Sequence, residues 1–120
     1  MADLTGKSIL IVEDEALLAL LLKDAVEEAG AIAIGPATTI ATALPLIEAG
    51  GIDGAVLDLN LGGDRSGPIA EALGAARIPF VVATGYGAAT DIGQGAAAVV
   101  HKPYDPETVL NALAGAVGGV

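Results

Sequence analysis

The chain alternates short, unbroken apolar runs with longer stretches of helical periodicity, and few folds accept that rhythm. Ser8 to Val12, Ala31 to Ile34, Ala55 to Leu57, Pro79 to Ala83 and Ala97 to His101 have strand length. Apolar runs of this kind, bounded by turn residues, mark strands buried on both faces. Between them lie helix-length stretches: Ala16 to Ala29, Ile40 to Glu48, Pro68 to near Arg77, and a last one from Pro106 onward. Strands separated by helices indicate an α/β class with a parallel sheet and helical crossovers.

Local signals set the expected boundaries. Gly30 stands where the first helix stops, and Gly35-Pro36 closes the second strand. Thr38 or Thr39 caps the second helix, Gly50-Gly51 ends it, and Pro45 inside it introduces a kink. A glycine-rich loop from Leu61 to Gly67 leads to Pro68. Asp105-Pro106-Glu107 combines an acidic cap, proline at the first helical position and an acid in the first turn. From Gly85 to Ala96, glycines at 85, 87, 93 and 95 leave little apolar anchoring, so only a short or mobile fourth helix is expected there. The 120 residues suit one domain, 1–120, with no internal repeat or linker. The ending Gly118-Gly119-Val120 suggests a complete or nearly complete domain.

Composition removes several functions. Fifteen acids against five lysines and arginines give a net charge of −10, which repels phosphate backbones and anionic membrane surfaces. The three aromatics, Phe80, Tyr86 and Tyr104, offer no platform for stacking bases, so nucleic acid is not expected as a direct ligand. Without cysteine there is no disulfide or thiolate site, and one histidine excludes a multi-histidine metal centre. A metal would have to bind oxygen. The early apolar run Ile9 to Val12 is too short for a signal peptide or membrane span, so a soluble, cytoplasmic protein is expected.

Chemistry in an open parallel sheet gathers beyond the carboxyl ends of the strands, where strand order reverses. Glu13 and Asp14 follow the first expected strand, Asp58 ends the third, Thr84 the fourth, and Lys102 follows the fifth. Like charges about 4 Å apart repel by about 4 kcal/mol at an effective dielectric near 20, so such acids require protons or a cation. A hard divalent ion fits an all-oxygen set, and Mg²⁺ commonly shares one or two carboxylates with a phosphate. With the acids neutralised, one carboxylate can serve as nucleophile towards phosphorus, with a lysine and a hydroxyl stabilising charge on the equatorial oxygens. Taken singly, an acidic run is more often a solvated loop, and Thr84-Gly85 only a turn; their joint placement at four strand ends is what points to a site.

On these segments the chain resembles the response-regulator receiver (CheY-like) domains of two-component signalling over essentially its whole length. Ile9-Leu10-Ile11-Val12-Glu13-Asp14-Glu15 is similar to the family's first strand and acidic pair, and Val56-Leu57-Asp58-Leu59-Asn60-Leu61 to its phosphoacceptor strand and loop. Val81-Val82-Ala83-Thr84-Gly85 resembles the hydroxyl position, and Val100-His101-Lys102-Pro103-Tyr104 the lysine-proline joint. Val82-Ala83-Thr84-Gly85-Tyr86 is further similar to the Phe-Ala-Thr-Gly-Tyr signature of stand-alone receivers of alphaproteobacteria, with Val82 in place of phenylalanine. The resemblance implies a flavodoxin-like, doubly wound, five-stranded parallel sheet of order 2-1-3-4-5 with five helices. It implies that Asp58 accepts a phosphoryl group from a phosphohistidine. Asp14 and Asp58 then ligate Mg²⁺ with the backbone carbonyl of Asn60, Glu13 acts mainly through water, and Thr84 and Lys102 hold phosphoryl oxygens. The implied partner is a histidine kinase or histidine phosphotransfer protein, met by a monomer or weak dimer that is not itself an enzyme.

Many receivers carry an inward-swinging aromatic three positions before the lysine; here that place is Val99. Tyr86 and Tyr104 remain as candidate switch rings or as surface rings covering a groove. In the first helix, leucines at 17, 18, 20, 21 and 22 exceed one core stripe. Leu18, together with Pro103, is therefore the candidate docking contact, the alternative being a helix buried on both sides. Two other functions share parts of this pattern. An aspartate-dependent phosphatase normally places an acid two residues beyond its nucleophile, where this chain has Asn60. A flavodoxin-like nucleotide module needs a hydroxyl- and glycine-rich loop after the first strand, where this chain has Glu13-Asp14-Glu15.

Overall fold

A computed structural model describes residues 4–58, 60–61, 64–65, 67–84, 98–101 and 105–117. Strand β1 (Ser8–Val12) is followed by α1 (Ala16–Glu28), β2 (Ile32–Ala37), α2 (Ile40–Ala49) and β3 (Gly54–Asp58). Next come two short strands, β4 (Asn60–Leu61) and β5 (Asp64–Arg65), then α3 (Gly67–Ala75), β6 (Phe80–Thr84), β7 (Ala98–His101) and α4 (Pro106–Val117).

The main sheet has five parallel strands in the order β2-β1-β3-β6-β7. This is the expected α/β, flavodoxin-like arrangement, with the reversal of strand order between β1 and β3. Alternate residues of the strands feed two cores. Leu10, Val12, Ala55, Leu57, Phe80 and Val82 pack with Ala43 and Ile47 of α2 and Ile69 and Leu73 of α3. Ile9, Ile11, Val56 and Val81 pack on the other side with Leu22 and Val26 of α1 and Val109, Leu110 and Leu113 of α4. Both faces are therefore covered by helices, which is why the strands read as continuous apolar runs.

Four helices are described. The additional helix expected between Gly85 and Ala96 lies outside the described residues. Thr39, rather than Thr38, caps α2: its hydroxyl accepts from the Thr42 N–H at 3.1 Å while the Thr42 hydroxyl accepts from the Thr39 N–H at 3.2 Å, a reciprocal capping box. The helix continues through Pro45. At α4 the carboxylate of Asp105 accepts the Glu107 N–H at 3.0 Å, as the acid-proline-acid start requires.

Apart from ends shifted by a residue or two, the structure departs from the sequence expectation in two places. Strand β2 does not close at Gly35-Pro36 but runs on to Ala37. It is an edge strand, where proline's missing donor is tolerated. Its pairing with β1 shifts from Leu10↔Ile34 to Val12↔Ala37, so β2 carries one extra residue there. Gly35 sits at that irregularity with φ of 95°, and an added Cβ would lie 2.6 Å from the Ala37 nitrogen. Second, the expected loop from Leu61 to Gly67 contains the antiparallel ribbon β4–β5, with Asn60 opposite Arg65 and Leu61 opposite Asp64.

Candidate phosphoacceptor and metal site

The carboxyl ends of β1 and β3 lie side by side, with Val12 paired to Leu57. The next residue along each segment is an acid, Glu13 just after β1 and Asp58 at the end of β3. Both are nearly enclosed, at 1% and 4% exposure, while Asp14 is exposed. Glu13 is held from two directions. Its N–H donates to the Ala37 carbonyl at 3.0 Å, which fastens the loop to the end of β2. Its carboxylate accepts the Glu15 N–H at 3.2 Å.

Glu13, Asp14 and Asp58 each present a carboxylate oxygen, and the three oxygens lie within 4.8 Å of one another. At that separation two charges repel by about 3–4 kcal/mol for an effective dielectric near 20. Mg²⁺ binds oxygens at about 2.1 Å, so opposite ligands stand about 4.2 Å apart; the cluster needs less than about 1 Å of adjustment, or a bridging water. The donor set, the separations and the mix of two enclosed acids with one reaching solvent all fit a hard divalent cation.

Asp58 pairs in register with Ala83, and Thr84 follows at the end of β6 opposite His101 of β7. Thr84 is thus the next residue along the same sheet edge, on the strand adjacent to Asp58. Asn60 begins β4 two residues beyond Asp58. Lys102, Pro103, Tyr86 and Tyr104 lie outside the described residues. On α1 the outward leucines are Leu17, Leu20 and Leu21, at 68%, 52% and 45% exposure, while Leu18 is half-buried. The helix is therefore not buried on both sides, and its outer face is apolar, with Leu18 half-buried beside those three. Arg65, which the sequence reading passed over, enters the neighbourhood through its pairing with Asn60. The available signal was Leu61-Gly62-Gly63-Asp64, a glycine pair of the kind that favours a two-residue hairpin connection.

Among the described residues no helix is long and apolar enough to cross a membrane. The family model of the response regulator receiver domain matches residues 9–114. The fold is similar to the solution structure of SdrG from Sphingomonas melonis Fr1, at 43% identity over 89% of this chain and 95% of that one, with a TM-score of 0.75. It is similar to a response regulator protein from Burkholderia pseudomallei with a phosphorylated aspartic acid, calcium ion and citrate, at 26% identity over 95% of this chain and 72% of that one, with a TM-score of 0.79. It also resembles the response regulator PhyR from Brucella abortus, at 26% identity over 98% of this chain and 50% of that one, with a TM-score of 0.83. No curated protein sequence matches the chain.

Proposed function

The chain belongs to the response regulator receiver family, and from that premise we propose that it is the phosphoacceptor of a phosphorelay, taking a phosphoryl group from a phosphohistidine onto Asp58. A carboxylate oxygen of Asp58 forms the new O–P bond as the N–P bond breaks, and the imidazole nitrogen of the donor keeps the electron pair. Asp14 and Asp58 would hold Mg²⁺ directly, with the Asn60 carbonyl as a further ligand and Glu13 acting through water. When bound, Mg²⁺ screens the carboxylates and the negative charge of the transferring oxygens. Thr84 and Lys102 are the hydroxyl and ammonium assigned to the phosphoryl oxygens. Glu13 contributes placement: its two backbone-linked hydrogen bonds fix the loop that carries Asp14.

The observation that carries this reading is the convergence of three carboxylates, two of them enclosed, at the reversal of strand order. The phosphorylated aspartic acid and calcium ion of the Burkholderia relative support it. The partner is a histidine kinase or phosphotransfer protein, docked over the outer face of α1 by Leu18 and the more exposed Leu17, Leu20 and Leu21, with Pro103 as a further contact. Output is contact with another protein or onward transfer, without steady turnover, by a cytoplasmic monomer or weak dimer. The test is intact-mass measurement after incubation with acetyl phosphate and Mg²⁺. One phosphate adduct on wild type, absent in Asp58→Asn, is expected. Continuous release of phosphate from a small ester would replace this reading with a phosphatase.

A further inference from the structure

We propose that Gly35 is a positioning residue for the cation: without a side chain it lets β2 take one extra residue, which brings the Ala37 carbonyl onto the Glu13 N–H and so fixes the segment that presents Glu13 and Asp14. This role rests on the acidic cluster being the Mg²⁺ site beside the phosphoacceptor Asp58. Along β1 and β2 the register runs Ser8↔Ile32, Ile9↔Ala33 and Leu10↔Ile34. The Ile32 N–H donates to the Lys7 carbonyl at 2.8 Å, so the even-numbered residues of β2 turn their backbone groups towards β1. Continued without a break, that alternation would set Pro36 opposite Val12, and proline has no N–H to give. The extra residue removes the conflict. Ala37 stands opposite Val12, and its carbonyl accepts the Glu13 N–H at 3.0 Å.

That bond is buried at both ends, with Glu13 and Ala37 at 1% and 2% exposure, so losing it would strand an amide away from water. Ala37 is itself fixed, as a member of the core that holds Leu10, Val12, Ala43 and Leu57. The Glu13 carboxylate in turn accepts the Glu15 N–H at 3.2 Å. The backbone that carries Asp14 is therefore held on one side by Ala37 and on the other by the Glu13 side chain. Position 35 admits only glycine in this arrangement. Its φ is 95°, and an added Cβ would stand 2.6 Å from the Ala37 nitrogen and 3.0 Å from the Ile11 carbonyl oxygen. These are backbone atoms of both strands, not the yielding end of a side chain. A methyl group there would move β2 against β1 at the point where Ala37 meets Glu13, without touching a carboxylate.

The experiment compares wild type and Gly35→Ala with Gly54→Ala, a control at the amino edge of the same sheet, where an added Cβ meets side chains of Val117, Leu113 and Ile9 and no backbone. Mg²⁺ affinity is measured by calorimetric titration of each folded protein. The Mg²⁺ concentration for half-maximal adduct formation is measured with acetyl phosphate, in which an Asp58 oxygen bonds to phosphorus, the P–O bond to acetate breaks and acetate leaves. Hydrogen exchange of the Glu13 amide is followed by NMR in chelator and in Mg²⁺. Gly35→Ala is expected to weaken Mg²⁺ binding by about 10- to 100-fold, the range for groups that orient metal ligands. Half-saturating Mg²⁺ should rise by the same factor, with the rate at saturation within about three-fold of wild type. Gly54→Ala, although destabilised, should keep its Mg²⁺ affinity within about two-fold, because it lies far from the cluster. In wild type, Mg²⁺ should slow exchange of the Glu13 amide, since a bond that favours the cation is favoured by it in return. Equal Mg²⁺ affinity in wild type and Gly35→Ala, or equal losses in both variants, overturns the proposal. If Gly35→Ala does not fold, the wild-type exchange decides, and a Glu13 amide that Mg²⁺ leaves no better protected overturns it. Wild type that binds Mg²⁺ but gains no adduct refutes the assignment of Asp58 while the titration still decides Gly35; wild type that binds no Mg²⁺ refutes both.

Discussion

Replacing Asp14 by asparagine should stabilise the metal-free protein and abolish its response to Mg²⁺. Asp14 is the exposed member of a cluster whose oxygens lie within 4.8 Å, so it repels both Glu13 and Asp58. With the full dielectric of water, each such pair costs about 0.9 kcal/mol, and near a protein surface more. Because Asp14 reaches solvent, the lower figure is the appropriate one, and removing its charge should give about 1–2 kcal/mol. For a domain of this size that is a rise in Tm of about 3–8 °C. Wild type in Mg²⁺ at a hundred times its Kd should gain about 2.7 kcal/mol by mass action, and Asp14→Asn should gain little or none. The assay is thermal unfolding of both proteins in chelator and across an Mg²⁺ series, with Asp14→Ala as a second variant lacking the amide. A lower Tm for both variants in chelator, or equal Mg²⁺ shifts in variant and wild type, would refute the electrostatic reasoning.

Three further outcomes follow from packing and exposure. Gly54→Ala should cost about 1–3 kcal/mol by overpacking, because a Cβ there would stand 2.7 Å from Val117 Cγ2 and 3.2 Å from Leu113 Cδ1; urea unfolding measures it, and an unchanged midpoint would mean that α4 shifts without penalty. Thr39→Ala should remove the capping box of α2 and lower stability by about 1 kcal/mol in the same assay, with Thr39→Ser close to wild type. The double change Leu17→Lys with Leu20→Lys should leave stability within about 0.5 kcal/mol but slow phosphoryl transfer from a phosphohistidine protein, while the rate with acetyl phosphate stays the same. Equal slowing with both donors would argue against docking through α1.

The layered fold was legible because burial on both faces leaves a strong mark. Strands such as Ile9-Leu10-Ile11-Val12 alternate between two cores yet contain no polar residue to blur the run. The caps at Thr39 and Asp105 were legible for a local reason, since a hydroxyl or carboxylate need only reach amides two or three residues ahead. Features dependent on tertiary placement were harder to read. The extension of β2 through Pro36 required knowing that this strand lies at the sheet edge, and the ribbon β4–β5 is too short for any periodicity to register. The leucines of α1 announced a surplus, but how far each is exposed depends on the rotation of the helix, which leaves Leu17, Leu20 and Leu21 most exposed and Leu18 half-buried beside them. For the acids, sequence supplied the residue types at strand ends, and the parallel register between β1 and β3 brought Glu13, Asp14 and Asp58 together.

The central claim is that carboxylates from the ends of β1 and β3 share one divalent ion. Crystals grown with Mn²⁺ in place of Mg²⁺ would locate the ion directly by its anomalous scattering. A single peak in ligating contact with oxygens of Asp14 and Asp58 is the predicted result. A peak elsewhere, or none at this cluster in metal-saturated crystals, would contradict it.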